Sequence, residues 1–256
     1  MSDTYLLDAS GLAKRYGSFA AVSHVDLKVR PHTVHSVIGP NGAGKTTLFH
    51  LLTGTTSVTA GQIVFDGQDI TRDPGHRRVR RGIARSFQVT SLFPSLTVRE
   101  NLRLAAQGVA PTQAFDCWHE PVGARSRAAT VDRVIAKVGL ESLASALAGN
   151  LSHGQQRRLE VGMALAAHPK LILLDEPTSG MGIDDIAGMK RLIRSLRDEH
   201  TVVFIEHNMD MVMDISDTVT VMQQGRVLAE GLPHAIRSDE RVRKAYLGNM
   251  ITGGRA

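Results

Sequence analysis

The 256-residue chain predicts an α/β fold built on a parallel sheet, and three observations carry that expectation. Leu171-Ile172-Leu173-Leu174 and Thr201-Val202-Val203-Phe204-Ile205 are near-continuous apolar runs, the composition of strands buried on both faces. Between them Ile186 to Leu196 reads as an amphipathic helix, giving the strand–helix–strand order of a parallel crossover. Upstream, the strand Val34-His35-Ser36-Val37-Ile38 runs into a glycine-rich turn. A helix over Thr46 to Thr53 follows, with Leu48, Leu51 and Leu52 on one face.

The remaining elements follow from local patterning. Tyr5-Leu6-Leu7 and His24 to Val29 read as short strands, and Gly61 to Gly67 as a strand entering a turn. From about 90 to 165 the apolar period changes. Thr97 stands three residues before Glu100, a capping-box spacing that opens a helix. Val131, Val134, Ile135 and Val138 then recur at helical intervals. Residues 90–165 are therefore expected to form a helical lobe. The flanking 1–89 and 166–256 form the core, in a single domain spanning 1–256. Ala110 to Arg127, with two prolines and two glycines, reads as a loop. Thr218 to Met222 and Arg226 to Ala229 read as a hairpin around Gln223-Gln224-Gly225.

Composition removes several function classes. Hydrophobic residues make up 42% and charged residues 21% of the chain, enough apolar content for a packed core rather than a disordered segment. With a single cysteine, Cys117, no intramolecular disulfide forms. No apolar run approaches the roughly 20 residues needed to span a bilayer, and the N-terminus has no basic and apolar leader pattern. The chain is accordingly expected in the cytoplasm, with any membrane role left to partners. The net charge of +5 is concentrated in His76-Arg77-Arg78-Val79-Arg80-Arg81, which reads as a solvated helix face. No aromatic residue interleaves with those arginines, so a nucleic-acid surface is not expected.

Gly39-Pro40-Asn41-Gly42-Ala43-Gly44-Lys45-Thr46 matches the pattern G-x-x-x-x-G-K-[ST] between a strand and a helix, with Thr47 following. Glycines let the backbone curl so that successive N–H groups face phosphate oxygens, and the helix N-terminus adds positive potential. Lys45 is placed to neutralise β and γ phosphates, and the Thr46 hydroxyl to ligate Mg²⁺. The buried strand after Pro169 ends in Asp175, a carboxylate for the Mg²⁺ shell. Glu176 is next, able to polarise an attacking water.

Leu151-Ser152-His153-Gly154-Gln155 resembles the signature motif, usually L-S-G-G-Q, of ATP-binding cassette (ABC) proteins. The resemblance covers nearly the whole chain. It implies an α/β P-loop NTPase (RecA-like) core with an N-terminal antiparallel β subdomain and an inserted α-helical subdomain. It also implies ATP and Mg²⁺ as ligands, Tyr16 as the residue stacking on adenine, and Gln88 as a glutamine near Mg²⁺ and the attacking water. His207 resembles the histidine that contacts the γ-phosphate. Two chains would close head-to-tail, each ATP meeting Lys45 of one and Ser152, Gly154 and Gln155 of the other. Two departures stand out: His153 replaces the usual first glycine, and Ser179-Gly180-Met181-Gly182 lacks an aspartate common in that loop, with Asp184 and Asp185 slightly beyond.

One cassette without sustained heptads is similar to transporter motors rather than to translation or chromosome ATPases. Gly82 to Gln88, Leu92 to Leu102, Leu151 to Val161 and Ala245-Tyr246-Leu247-Gly248 look like the ATPases of branched-chain amino acid importers. Urea or short-chain amide importers share much of this pattern, and lipopolysaccharide-export ATPases are more distant. The resemblance implies a second ATPase subunit, identical or paralogous, two transmembrane permease subunits and, indirectly, an external solute-binding protein. Phe87 to Leu102 is the candidate contact with the permease, in a groove near Gln88.

Overall fold

The computed structural model describes residues 5–86, 92–108 and 124–252. In chain order the elements are β1 (Leu7–Tyr16), β2 (Phe19–Val29), β3 (Val34–Ile38), α1 (Lys45–Thr53), β4 (Ala60–Phe65), β5 (Gln68–Asp69), α2 (Gly75–Arg81), β6 (Ile83–Arg85), α3 (Val98–Gln107), α4 (Ala124–Lys137), α5 (His153–Leu165), β7 (Leu171–Asp175), α6 (Ile183–Leu196), β8 (Thr201–Ile205), α7 (Met209–Ile215), β9 (Thr218–Gln223), β10 (Arg226–Gly231), α8 (Pro233–Ser238) and α9 (Glu240–Thr252).

Six strands form the central sheet in the order β10-β9-β3-β8-β7-β6. All neighbours are parallel except the β9–β10 hairpin. Side chains alternate between its two faces, as a pleated strand requires. Ile172, Leu174, Val202 and Phe204 enter one core with Met189, Leu192, Ile193 and Leu196 of α6. Leu171, Leu173, Val203 and Ile205 enter a second core with Leu48, Phe49, Leu51 and Leu52 of α1. That second core is closed by an antiparallel sheet, β2-β1-β4-β5, through Leu7, Leu12, Leu27 and Phe65. The α/β fold with an antiparallel β layer read from the sequence is thus the fold of the chain.

The edges of several elements differ from the sequence expectation. β1 and β2 are far longer than Tyr5–Leu7 and His24–Val29. β1 is paired on both sides, by β2 and β4, and the β2 ladder extends it through Lys14 and Arg15, where the apolar alternation has stopped. Gly11 (φ 60°) and His24 (φ 56°) mark irregularities in it and in β2. α6 starts at Ile183, three residues before Ile186, with Asp184 and Asp185 in its first turn, where carboxylates favour the positive end of the helix. α4 begins at Ala124, inside the expected 110–127 loop; residues 110–123, with Cys117 and Trp118, lie outside the described residues.

The basic run is not uniformly solvated. Arg78 of α2 is 1% exposed. Its guanidinium donates to the carbonyls of Leu51 (2.6 Å) and Leu52 (2.9 Å) at the C-terminal end of α1, and to those of Thr71 (3.0 Å) and Asp73 (2.9 Å). A cation there meets the negative end of the α1 dipole and adds to the 3.3 Å bond by which the Gly54 N–H caps the Leu51 carbonyl.

Candidate nucleotide site

The glycine-rich turn joins β3 to α1. Gly39 (φ 150°) passes so close to β9 that a Cβ would lie 2.2 Å from the Met222 carbonyl oxygen, and a Cβ on Gly44 (φ 98°) would lie 2.5 Å from that of Ala21. Side chains at either position would push the turn off the sheet. The Pro40 carbonyl accepts from Ala43 N–H at 3.1 Å, closing the curl. Asn41 and Gly42 face solvent; Thr46 and Thr47 are half-buried on the first turn of α1.

Lys45 is 6% exposed. Its ammonium folds back to donate to the carbonyls of Gly39 (2.6 Å) and Pro40 (3.1 Å). Burial lowers its pKa, and the nearby carboxylates of Glu176 and Asp175 pull it back up. The charged end of the turn and the two carboxylates therefore share one site.

Asp175 ends β7, 2% exposed. Its Oδ2 accepts from Arg85 Nη2 at 2.7 Å, while Oδ1 is buried without a hydrogen-bond partner. A buried anionic oxygen left open in this way suits a hard divalent cation such as Mg²⁺. Glu176 takes a left-handed conformation (φ 49°) and donates its N–H to the Ile205 carbonyl at 3.0 Å. That turns its side chain toward His207, whose Nε2 lies 3.0 Å from Glu176 Oε1.

Two residues that sequence reasoning passed over organise this arrangement. Arg85, at the end of β6, orients Asp175. Glu206, 3% exposed, accepts from Thr178 N–H (2.9 Å) and the Thr178 hydroxyl, and from the N–H groups of His207 (2.8 Å) and Asn208 (3.1 Å). It pins the loop after Glu176 to the loop carrying His207. The signal was present: an acidic residue directly after the apolar run Thr201–Ile205 has no reason to be there unless it is paired.

The other sequence candidates lie apart from this group. Tyr16 ends β1, 52% exposed, with the Lys14 ammonium 5.2 Å from its ring centroid and Phe19 opposite it in the hairpin. Ser152 is the N-cap of α5. Its hydroxyl accepts from Gln155 N–H at 3.3 Å, and Gln155 Oε1 accepts from Ser152 N–H at 2.9 Å, a reciprocal cap. Gly154 is pressed against α6. Among the described residues, Ser152, Gly154 and Gln155 make no hydrogen bond with the Lys45 group. Gln88 lies outside the described residues. Tyr246 on α9, a part of the C-terminal pattern noted above, has its phenol pushed up to about 12 by burial, with the Gly39 backbone N–H acting against that rise.

A groove of about 580 Å³ opens beside β6, lined by Val79, Ala84, Ala105, Gly108, Met163 and Ala164, with Glu160 at its wall. Burial raises the Glu160 pKa, and its ion pair with Arg157 (2.8 Å) opposes the rise.

Residues 22–179 match the family model of the ABC transporter, and residues 226–250 match that of the branched-chain amino acid ATP-binding cassette transporter. The chain is 42% identical over 249 residues to the high-affinity branched-chain amino acid transport ATP-binding protein BraF of Pseudomonas aeruginosa, covering 95% of this chain and 98% of that one. Identity is 39%, with the same coverage, to the corresponding LivG protein of Escherichia coli. It is 36% to the lipopolysaccharide export ATP-binding protein LptB of Haemophilus influenzae, over 96% and 98% of the two chains. Among solved structures, a nucleotide-free ATP-binding cassette from an ABC transporter superposes with a TM-score of 0.84 at 29% identity, over 95% of this chain and 99% of that one. A dimeric cassette in a post-hydrolysis state with ADP and phosphate gives 0.73 at 25% identity, over 89% and 98%.

Proposed function

The chain belongs to the ABC transporter family and is an ATP-binding, ATP-hydrolysing cassette, and from that premise we propose that it drives import of branched-chain amino acids by closing as a dimer on Mg²⁺-ATP. The observation that carries the mechanism is the gathering of Lys45, Asp175, Glu176 and His207 at the C-terminal ends of β3, β7 and β8, where open α/β sheets bind ligands.

Lys45 and the N–H groups from Gly39 to Thr47 take the phosphates, the ammonium exchanging its two carbonyl partners for phosphate oxygens. Tyr16 offers the face on which adenine stacks. Asp175 Oδ1 and the Thr46 hydroxyl would hold Mg²⁺, and by family resemblance Gln88 would join them. When bound, the ion neutralises phosphate oxygens. Arg85 keeps the second Asp175 oxygen engaged. Glu176 orients and polarises the attacking water, and His207, 3.0 Å away, fixes the carboxylate beside the terminal phosphate. Ser152, Gly154 and Gln155 meet the nucleotide of the second cassette, an identical or a paralogous chain.

Residues 90–165 serve as the helical signature subdomain, and 1–89 with 166–256 as the nucleotide-binding core. No helix among the described residues is long and apolar enough to cross a membrane. The chain then acts from the cytoplasmic face, with two permease subunits doing the spanning and an external solute-binding protein delivering cargo. Support for this cargo is the match of the C-terminal segment together with the BraF and LivG likeness.

Glu176→Gln keeps the geometry and removes the base. ATPase activity is expected to fall by about two orders of magnitude or more, and the variant to accumulate as an ATP-bound dimer in sizing or scattering measurements. A variant that stays monomeric at saturating Mg²⁺-ATP overturns the dimer mechanism. Reconstitution with the permease pair and binding protein is expected to give leucine, isoleucine and valine uptake; uptake of urea instead would move the chain to the amide importers.

A further inference from the structure

The segment from Glu176 into the first turn of α6 touches the first turn of α5 at two points. A Cβ built on Gly154 lies 2.4 Å from Cγ and from Oδ2 of Asp185, so that carboxylate is in van der Waals contact with the Gly154 backbone. A Cβ on Gly180 (φ 73°) lies 3.0 Å from the His153 ring. Asp185 is half-buried on the first turn of α6, and among the described residues its carboxylate enters no hydrogen bond or ion pair. It lies beside the positive end of α5, whose first-turn N–H groups have no intrahelical acceptor.

That same turn is the one assigned above to the terminal phosphate of the second cassette. A carboxylate and a phosphate drawn to one helix end repel each other, and only one of them can be close. We propose that Asp185 is a positioning residue that guards the signature turn: it holds the turn against α6 in the isolated chain and is displaced when the partner's phosphate arrives. Because Asp185 continues directly from the loop that carries Glu176, Thr178 and Gly180, its displacement moves that loop. His153, where the family usually has glycine, supplies the second contact through its ring on Gly180. The inference rests on the cross-subunit reading of Ser152.

The test uses the full chain carrying Glu176→Gln, titrated with Mg²⁺-ATP, with dimerisation followed by light scattering. Asp185→Asn keeps the shape and removes the charge. It is expected to lower the half-saturating ATP concentration about two- to fivefold, the range for one charge at a helix end, and the gap is expected to shrink in high salt. Asp184→Asn, exposed on the same turn, is the control for net charge and is expected to leave the midpoint unchanged. Asp185→Ser serves as a second neutral variant if the asparagine fails to fold. A midpoint that is unchanged or raised in Asp185→Asn, or lowered equally by Asp184→Asn, overturns the inference while a raised midpoint in Ser152→Ala still supports the dimer. A Ser152→Ala chain with a normal midpoint overturns the dimer reading and this inference together.

Discussion

A buried lysine, a buried aspartate with one open oxygen and a glutamate in a left-handed turn are each unfavourable alone. Burial disfavours the Lys45 ammonium, and the open Asp175 oxygen has given up water without a replacement. Together they describe a site set for a charged ligand, which supplies what each group lacks. His35 shows the opposite case, a buried titratable group kept out of the chemistry. It sits on β3, 2% exposed, 2.7 Å from the Thr220 hydroxyl, which donates to Glu230 at 2.6 Å. Burial lowers its pKa from 6.5 to about 4. Below pH 6.5 the unfolded chain takes up a proton that the folded chain refuses, so stability falls with pH from about 6.5 to about 4 and levels off beneath. The loss amounts to on the order of 3 kcal/mol. Urea titrations across that range are expected to show a flatter acid limb in His35→Gln; equal slopes in both proteins would remove His35 from the acid response.

At the level of elements, α1 is held at both ends. Its N-terminal end continues from the glycine-rich turn, and its C-terminal carbonyls are collected by Arg78. A run of basic residues on α2 gives no hint of this, because one inward position in a short helix looks like its neighbours until the packing is known. Arg78→Leu removes four hydrogen bonds at once and leaves the Leu51 carbonyl to the Gly54 N–H. It is expected to cost about 3 kcal/mol or more in denaturant unfolding. Arg78→Lys is expected to recover little, since a single ammonium cannot span four acceptors held by a planar fork. The longer β1 and β2 teach the same lesson. Their ends are made by pairing partners distant in sequence, which local alternation does not record.

Over the whole molecule, the groove beside β6 is flanked by α3, α5 and α2. The loop before α3 is stiffened by Asn101, fully buried, which accepts from Phe93 N–H (2.8 Å) and donates to the carbonyls of Phe93 (3.1 Å) and Thr97 (2.9 Å). Leu92 packs into the core, whereas Phe93 stays 50% exposed on this rigid loop. Phe93→Ala is expected to leave stability within about 0.5 kcal/mol and basal ATPase unchanged, while permease-stimulated ATPase and transport fall. Equal loss of basal and stimulated activity would make Phe93 a packing residue.

The linear chain already determined the α/β class and the family, and it displayed the glycine-rich turn and the adjacent Asp175 and Glu176 from which the proposed site is built. Each of these is a contiguous pattern whose chemistry needs neighbours in sequence: glycines for a curl, apolar runs for buried strands, a carboxylate at a strand end. Only the tertiary structure decided that Arg85 orients Asp175, that Glu206 ties two loops, that Arg78 caps α1 and that Asp185 covers Gly154. Those contacts join residues far apart along the chain, and a charged side chain reads alike in sequence whether it faces water or a buried partner.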